Sequence, residues 1–171
     1  MKTNLRTVTI LLVIASLAPA GAMATTIASP QDNAPTIDRQ AVTAPTVNFY
    51  AALNAMFTGD GQPMKDAWSH AEDITYMGPD GVYLVGWKAI EPEWNAQAAK
   101  KLGGRVTPQQ LHTVVGADLA AINCIESGEN IVNGKKEIVR LRSSTLFRKE
   151  NGAWKVIGHQ TDLLGYMNKP E

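Results

Sequence analysis

EIVRLRSSTLFRKENGAWKVIGHQTD, residues 137–162, decides the fold. Asn151-Gly152 sits between two runs rich in β-branched and aromatic residues. Asn-Gly is the strongest short-range hairpin signal, because both central positions of the two-residue turn need a positive φ. Two strands follow, Glu137–Lys149 and Ala153–Asp162. Such a turn pairs Glu150 with Ala153, Phe147 with Val156, Thr145 with Gly158 and Ser143 with Gln160. Alternation then puts Leu141, Ser143, Thr145, Phe147, Trp154, Val156, Gly158, Gln160 and Asp162 on one face. Arg140, Arg142, Ser144, Leu146, Arg148, Lys155, Ile157, His159 and Thr161 take the other. The first set is more apolar and is expected to face the core. A bulge would shift the register and exchange the two faces.

Upstream, Gln109–Val115 and Leu119–Ser127 read as two further strands, the second joined to the hairpin by a 128–134 loop. Before them the period changes. Val47, Phe49, Tyr50, Leu53, Met56 and Phe57 recur at helical spacing over Thr43–Thr58, and Gly59-Asp60-Gly61 ends that helix. Pro63–His70 is a short second helix with proline in its first turn. Ile74–Met77 and Val82–Val85 are short strands around the turn Gly78-Pro79-Asp80-Gly81. Trp87–Leu102 is a third helix, capped by Gly103-Gly104. Helices early and antiparallel strands late imply an α+β domain with helices on one face of a curved sheet.

The first residues carry an export signal. Lys2 and Arg6 precede the uncharged apolar run Thr7–Ala18, Pro19 and Gly21 break it, and Ala22-Met23-Ala24 supplies a cleavage site. The run is well short of the roughly 20 residues that span a bilayer, so residues 1–24 are expected to be removed. The mature protein then works in the periplasm or is secreted, with no further membrane association. Residues 25–42 form a leader without periodicity, 43–165 the domain, and 166–171 a C-terminal tail. The 16 basic and 16 acidic side chains balance, and loss of Lys2 and Arg6 leaves the mature chain slightly acidic. That argues against a nucleic-acid partner. Cys124 is the only cysteine, so no internal disulfide forms, and its apolar neighbours make it a buried small hydrophobe.

Trp68-Ser69-His70, Asp73-Ile74-Thr75-Tyr76-Met77-Gly78-Pro79 and Gly86-Trp87 resemble the first half of a SnoaL-like domain. Asp118-Leu119-Ala120, Glu126, Arg142, Phe147-Arg148, Asn151-Gly152, Trp154-Lys155-Val156 and Asp162 resemble its second half. The resemblance is to the ketosteroid-isomerase-like branch of the nuclear transport factor 2-like superfamily, over about residues 43–165. It implies three N-terminal helices on a curved, mainly antiparallel sheet that forms a conical barrel with an internal apolar pocket. It also implies a homodimer through the outer face of the sheet. Many relatives carry histidines at the positions matching Thr145, Gly158 and Gln160. This chain does not, so neither a metal site nor a cofactor is expected.

Two functions are compatible with these residues, because the fold hosts many. In one, the pocket binds a small apolar molecule, with Tyr76, Trp94, Thr145, Phe147 and Gln160 against the ligand. In the other, the domain is a cofactor-free isomerase or cyclase, which needs a general base beside a carbon acid and a donor for the developing enolate. Asp162, at the inward end of the last strand, and Glu126, on a face with Ala120, Ile122 and Cys124, are the candidate bases. Tyr76 is the candidate donor. A structural pair with Arg142 or Arg140 is the alternative role for Glu126. His159 is expected on the outer side, His112 towards solvent, and His70 at a helix end. The missing imidazoles favour the binding function. A carboxylate enclosed by apolar walls beside Tyr76 favours the enzyme.

Overall fold

The computed structural model describes residues 40–162. The signal peptide, most of the leader and the tail lie outside them. Among the described residues there are three helices: α1 Thr43–Met56, α2 Gln62–Ala67 and α3 Trp87–Lys100. The strands are β1 Thr75–Met77, β2 Tyr83–Val85, β3 Arg105–Val115, β4 Leu119–Val132, β5 Lys135–Glu150 and β6 Ala153–Asp162. They form one six-stranded sheet in the order β2-β1-β6-β5-β4-β3. β1 and β6 run parallel, and every other pair is antiparallel.

Two parts of the expected architecture need correction. The sheet is open, with β2 and β3 as its edges, so no closed barrel forms. The helices are not a block ahead of the strands either, since α3 follows β1 and β2. α2 is also shorter than expected. Trp68 leaves the helix with an extended ψ of 151° and bridges to Val156, whose carbonyl accepts the Ser69 N–H at 2.8 Å. The expected last turn of α2 is thus spent tying the chain to β6.

β3 and β4 are longer than their sequence signals. β3 begins at Arg105 and carries Pro108, which an edge strand tolerates because its missing N–H costs no ladder bond on the open side. β4 runs through Gly128 to Val132, and the turn is Asn133-Gly134, with φ of 52° and 75°. It is a second two-residue Asn-Gly hairpin, with Val132 opposite Lys135. Gly128 is glycine because β3 crosses it closely. A Cβ there would strike the Arg105 carbonyl.

The last hairpin turns as expected, pairing Glu150 with Ala153 and Phe147 with Val156. Beyond that the register shifts. Leu146 lies opposite Gly158, Thr145 opposite His159, Ser144 opposite Gln160 and Arg142 opposite Asp162. Ile157 is the extra residue of a bulge, and Gly158 leaves room for the Leu146 side chain. The inward face of β5 stands as expected, with Ser143, Thr145 and Phe147 buried. On β6 the faces exchange after the bulge, so His159 and Thr161 are buried while Gln160 is exposed.

The core lies between the helices and the inward face of the sheet. Phe49 and Met56 of α1, Met64 of α2, Ile90 and Trp94 of α3, Trp68, Ile74, Ile122, Phe147 and Val156 form its centre. Trp94 packs on Tyr76 and Trp68, with ring centroids 4.5 and 5.2 Å apart. Side chains of this size contribute on the order of 1.5–3 kcal/mol each when fully buried.

Candidate functional site

The helices and the sheet do not close completely over one another. A cavity of about 500 Å³ remains, bounded by Phe49 and Leu53 from α1, Phe57 just after it, Met64 from α2 and Trp94 and Gln97 from α3. The sheet contributes Tyr76, Glu126, Leu141, His159 and Thr161. Its walls are mostly apolar, and two of its polar residues, Glu126 and His159, stand side by side.

Alternation along β4 puts Ala120, Ile122, Cys124 and Glu126 inward, and Glu126 is only 3% exposed. It makes no pair with Arg142 or Arg140. Its Oε1 accepts a hydrogen bond from the Tyr50 hydroxyl at 3.1 Å. The same hydroxyl lies 3.1 Å from Cys124 Sγ, so with the phenol proton on Glu126 the thiol donates to the phenol oxygen. His159 approaches from β6, its Nε2 at 3.6 Å from Oε1. That separation is an ion-pair distance and too long for a hydrogen bond. On the other side of the ring, Nδ1 lies 3.0 Å from Thr145 Oγ1. A proton on Nε2, turned towards the carboxylate, leaves Nδ1 to accept from the Thr145 hydroxyl. Phe49 packs against the imidazole, with centroids 4.9 Å apart.

Burial governs the protonation of these groups. It lowers the His159 pKa, and the Glu126 charge opposes that shift only in part. The imidazole is therefore neutral at neutral pH. Burial, aided by the Glu126 charge, raises the Tyr50 hydroxyl, and burial raises the Cys124 thiol. Tyr76 is pushed up to about 12, again mainly by burial. The Tyr76 oxygen accepts from Gln97 Nε2 at 3.0 Å, which leaves its own proton free to donate. Thr161 Oγ1 and Trp94 Nε1 are buried without a hydrogen-bond partner among the described residues.

The cavity brings together three of the expected residues, Tyr76, Trp94 and Glu126. Thr145 reaches it only through His159. Phe147 is buried in the core and faces α1 and α2 rather than the cavity. Asp162 and Gln160 are on the opposite face of the sheet, because the bulge at Ile157 reverses β6 before reaching them. Asp162 is held there by Arg142, Nε to Oδ1 at 3.0 Å and Nη2 to Oδ2 at 2.9 Å. Its expected place as an inward base is corrected to an outer ion pair. His159 is corrected the other way, from the outer face to the cavity. The sequence shows Tyr50 only as part of a helix stripe, with nothing to place its hydroxyl. His112 is exposed as expected, and His70 stacks on Trp87 at 4.0 Å, away from the cavity. Among the described residues no three His, Cys, Asp or Glu side chains are grouped as metal ligands.

The SnoaL-like domain model matches residues 47–161. No functionally curated protein matches the chain by sequence. A proposed dehydratase of the nuclear transport factor 2-like family from Streptomyces avermitilis is similar in structure, with a TM-score of 0.66 and 18% identity over 77% of this chain and all of that one. A nuclear transport factor 2-like protein with a cystatin-like fold from Novosphingobium aromaticivorans gives 0.60 and 18% over 75% of this chain and 83% of that one. The association domain of calcium/calmodulin-dependent protein kinase II from C. elegans gives 0.60 and 14%, over 74% and 98%. At these identities the likeness is one of fold.

Proposed function

Because the chain belongs to the SnoaL-like domain family, whose fold does not by itself specify an activity, we propose a function from the cavity: it binds one small, mainly apolar molecule. The observation that carries this reading is the cavity itself, with aromatic and aliphatic walls and a few convergent polar groups, the usual composition of a small-molecule site. The test is native mass spectrometry of the purified protein, followed by titration with apolar carbonyl compounds. A retained small molecule, or saturable binding that Trp94→Ala weakens, supports the reading. Absence of both overturns it.

A second reading, cofactor-free proton transfer of the isomerase or cyclase kind, is favoured by one arrangement. Glu126 is enclosed among apolar walls in the cavity that Tyr76 also lines, with neutral His159 at its side. In this reading Glu126 takes a proton from a carbon next to a carbonyl, and Tyr76 donates to the enolate oxygen. The proton then returns to another carbon of the same molecule. Incubation with candidate ketones in deuterated water is expected to label the α-carbon with wild-type protein and not with Glu126→Gln. Equal labelling by both proteins removes Glu126 as the base.

We also place the domain outside the cytoplasm, in the periplasm or secreted, on the strength of residues 1–24. N-terminal sequencing of the envelope or medium fraction is expected to begin at Thr25. Self-association through the outer face of the sheet belongs to the same proposal. Its support is the family resemblance and the solvent-exposed Val114, Leu119 and Leu146 on that face.

A further inference from the structure

Glu126 of β4 and His159 of β6 line the same cavity and face each other without a hydrogen bond, His159 Nε2 standing 3.6 Å from Glu126 Oε1. Each is anchored on its far side. Tyr50 donates to Glu126 Oε1, and Thr145 Oγ1 lies 3.0 Å from His159 Nδ1. Phe49 packs on the imidazole ring as well. The near sides are not taken up. Neither Glu126 Oε2 nor His159 Nε2 hydrogen-bonds to a described residue. Neither is among the partnerless atoms that the fold seals, such as Thr161 Oγ1 and Trp94 Nε1, so both open onto the cavity that their residues line. With Nδ1 accepting from Thr145, the imidazole shows the cavity an N–H and the carboxylate shows it lone pairs only. The opposite tautomer would turn the Nε2 lone pair on the carboxylate. The imidazole is neutral, so it leaves the charge of Glu126 uncancelled.

We infer that the ligand is an apolar molecule carrying a hydroxyl group, bound with its O–H donating to Glu126 and its oxygen accepting from His159 Nε2–H. The inference rests on the cavity being a ligand site, as proposed above, and adds the functional group that the site reads. The separation suits a bridging oxygen. Hydrogen bonds of about 2.7 Å to a carboxylate and about 2.9 Å to a ring N–H close a triangle on a base of 3.6 Å. Other polar groups match one side only. A ketone or ether oxygen accepts from His159 but sets its lone pairs against the carboxylate. A ligand carboxylate would meet Glu126 as a like charge in a place with little water, where repulsion is strongest. An ammonium pairs with Glu126, yet it turns N–H towards N–H at His159 and gives up its water for mostly apolar walls. A hydroxyl supplies the one donor and the one acceptor that the two residues call for.

Probes sharing one apolar body test this: 4-phenylbutanol, its methyl ether, 4-phenylbutylamine and butylbenzene, each brought to equilibrium with the mature protein by dialysis. The alcohol is expected to bind about 10-fold or more tightly than the ether and the hydrocarbon, as a hydrogen bond to a charged group allows. Butylbenzene separates loss of that bond from the bulk of the ether's methyl group. In Glu126→Gln the ratio of alcohol to ether affinity is expected to fall below about 3-fold, because an amide can also donate to an ether. A second readout needs no variant. In nitrogen NMR spectra of the wild-type protein, the alcohol is expected to move the His159 Nε2 resonance and butylbenzene to leave it in place. Four results overturn the inference while the cavity remains a ligand site: alcohol, ether and hydrocarbon binding alike, the amine binding more tightly than the alcohol, an unmoved His159 resonance, or a preference that persists in folded Glu126→Gln. If none of the four probes binds, the binding reading fails and the inference falls with it.

Discussion

Glu126 and Tyr50 are linked by a hydrogen bond in a place with little water, and the effect of removing either depends on what is left behind. Tyr50→Phe takes a donor from a buried carboxylate, so it is expected to cost about 1–3 kcal/mol, read from the midpoint of urea unfolding. His159 has the opposite relation to charge. Its pKa is lowered in the folded protein, so below about 6.5 the unfolded chain binds a proton that the folded one does not. Stability from this residue is full above about 6.5 and declines as pH falls through that value. His159→Gln is expected to flatten the dependence of the melting temperature on pH between about 6.5 and 5. Asp73, lowered by its hydrogen bonds with Arg148, acts only in the more acidic range near and below 3.8. The two contributions are therefore separable by pH.

At the scale of elements, alternation explains most of what the sequence made visible. Glu126 was legible as inward because Ala120, Ile122 and Cys124 share its parity, and Tyr76 and Trp94 because each sits on the buried side of its element. His159 was not, because parity carries through a strand only while the strand stays in register. The clue was Ile157-Gly158, a glycine inside a strand pattern, which commonly marks a bulge. Tyr50 was hidden differently. A tyrosine on an apolar helix stripe looks the same whether its hydroxyl reaches solvent or a carboxylate. The length of β4 is not legible in the sequence, because Gly128 resembles a loop residue when its neighbour across the sheet is unknown. Gly128→Ala is expected to destabilise the protein by about 1–3 kcal/mol, since the Arg105 backbone must move to admit the methyl group. Hydrogen exchange along β3 should accelerate in that variant. Protection equal to wild type would show that the close crossing can relax.

For the whole molecule, the open sheet leaves two faces with different duties. The inner face carries the cavity, and the outer face exposes Val114, Leu119 and Leu146 beside the Arg142–Asp162 pair. Burying that outer face in a second copy would remove exposed apolar area at about 25 cal/mol per Å². Leu146→Glu is expected to convert a dimer to a monomer in light scattering without lowering affinity for a cavity ligand. A wild-type monomer at all concentrations would exclude this arrangement. The proposed halves of the molecule are thus separable: a variant of the outer face tests assembly, and a variant of the inner face tests binding.

The extra residue at Ile157 also bears on how such chains diverge. A point substitution at His159 alters one side chain, whereas loss of a single codon in β6 would swap the inward and outward sets over the rest of the strand. Two chains with the same residues here but one codon apart in length would present different chemistry to the cavity. Matching them without a gap would pair the imidazole of one with a surface residue of the other. An insertion or a deletion thus suffices to acquire or discard an interior histidine in this architecture, with no change of amino-acid type.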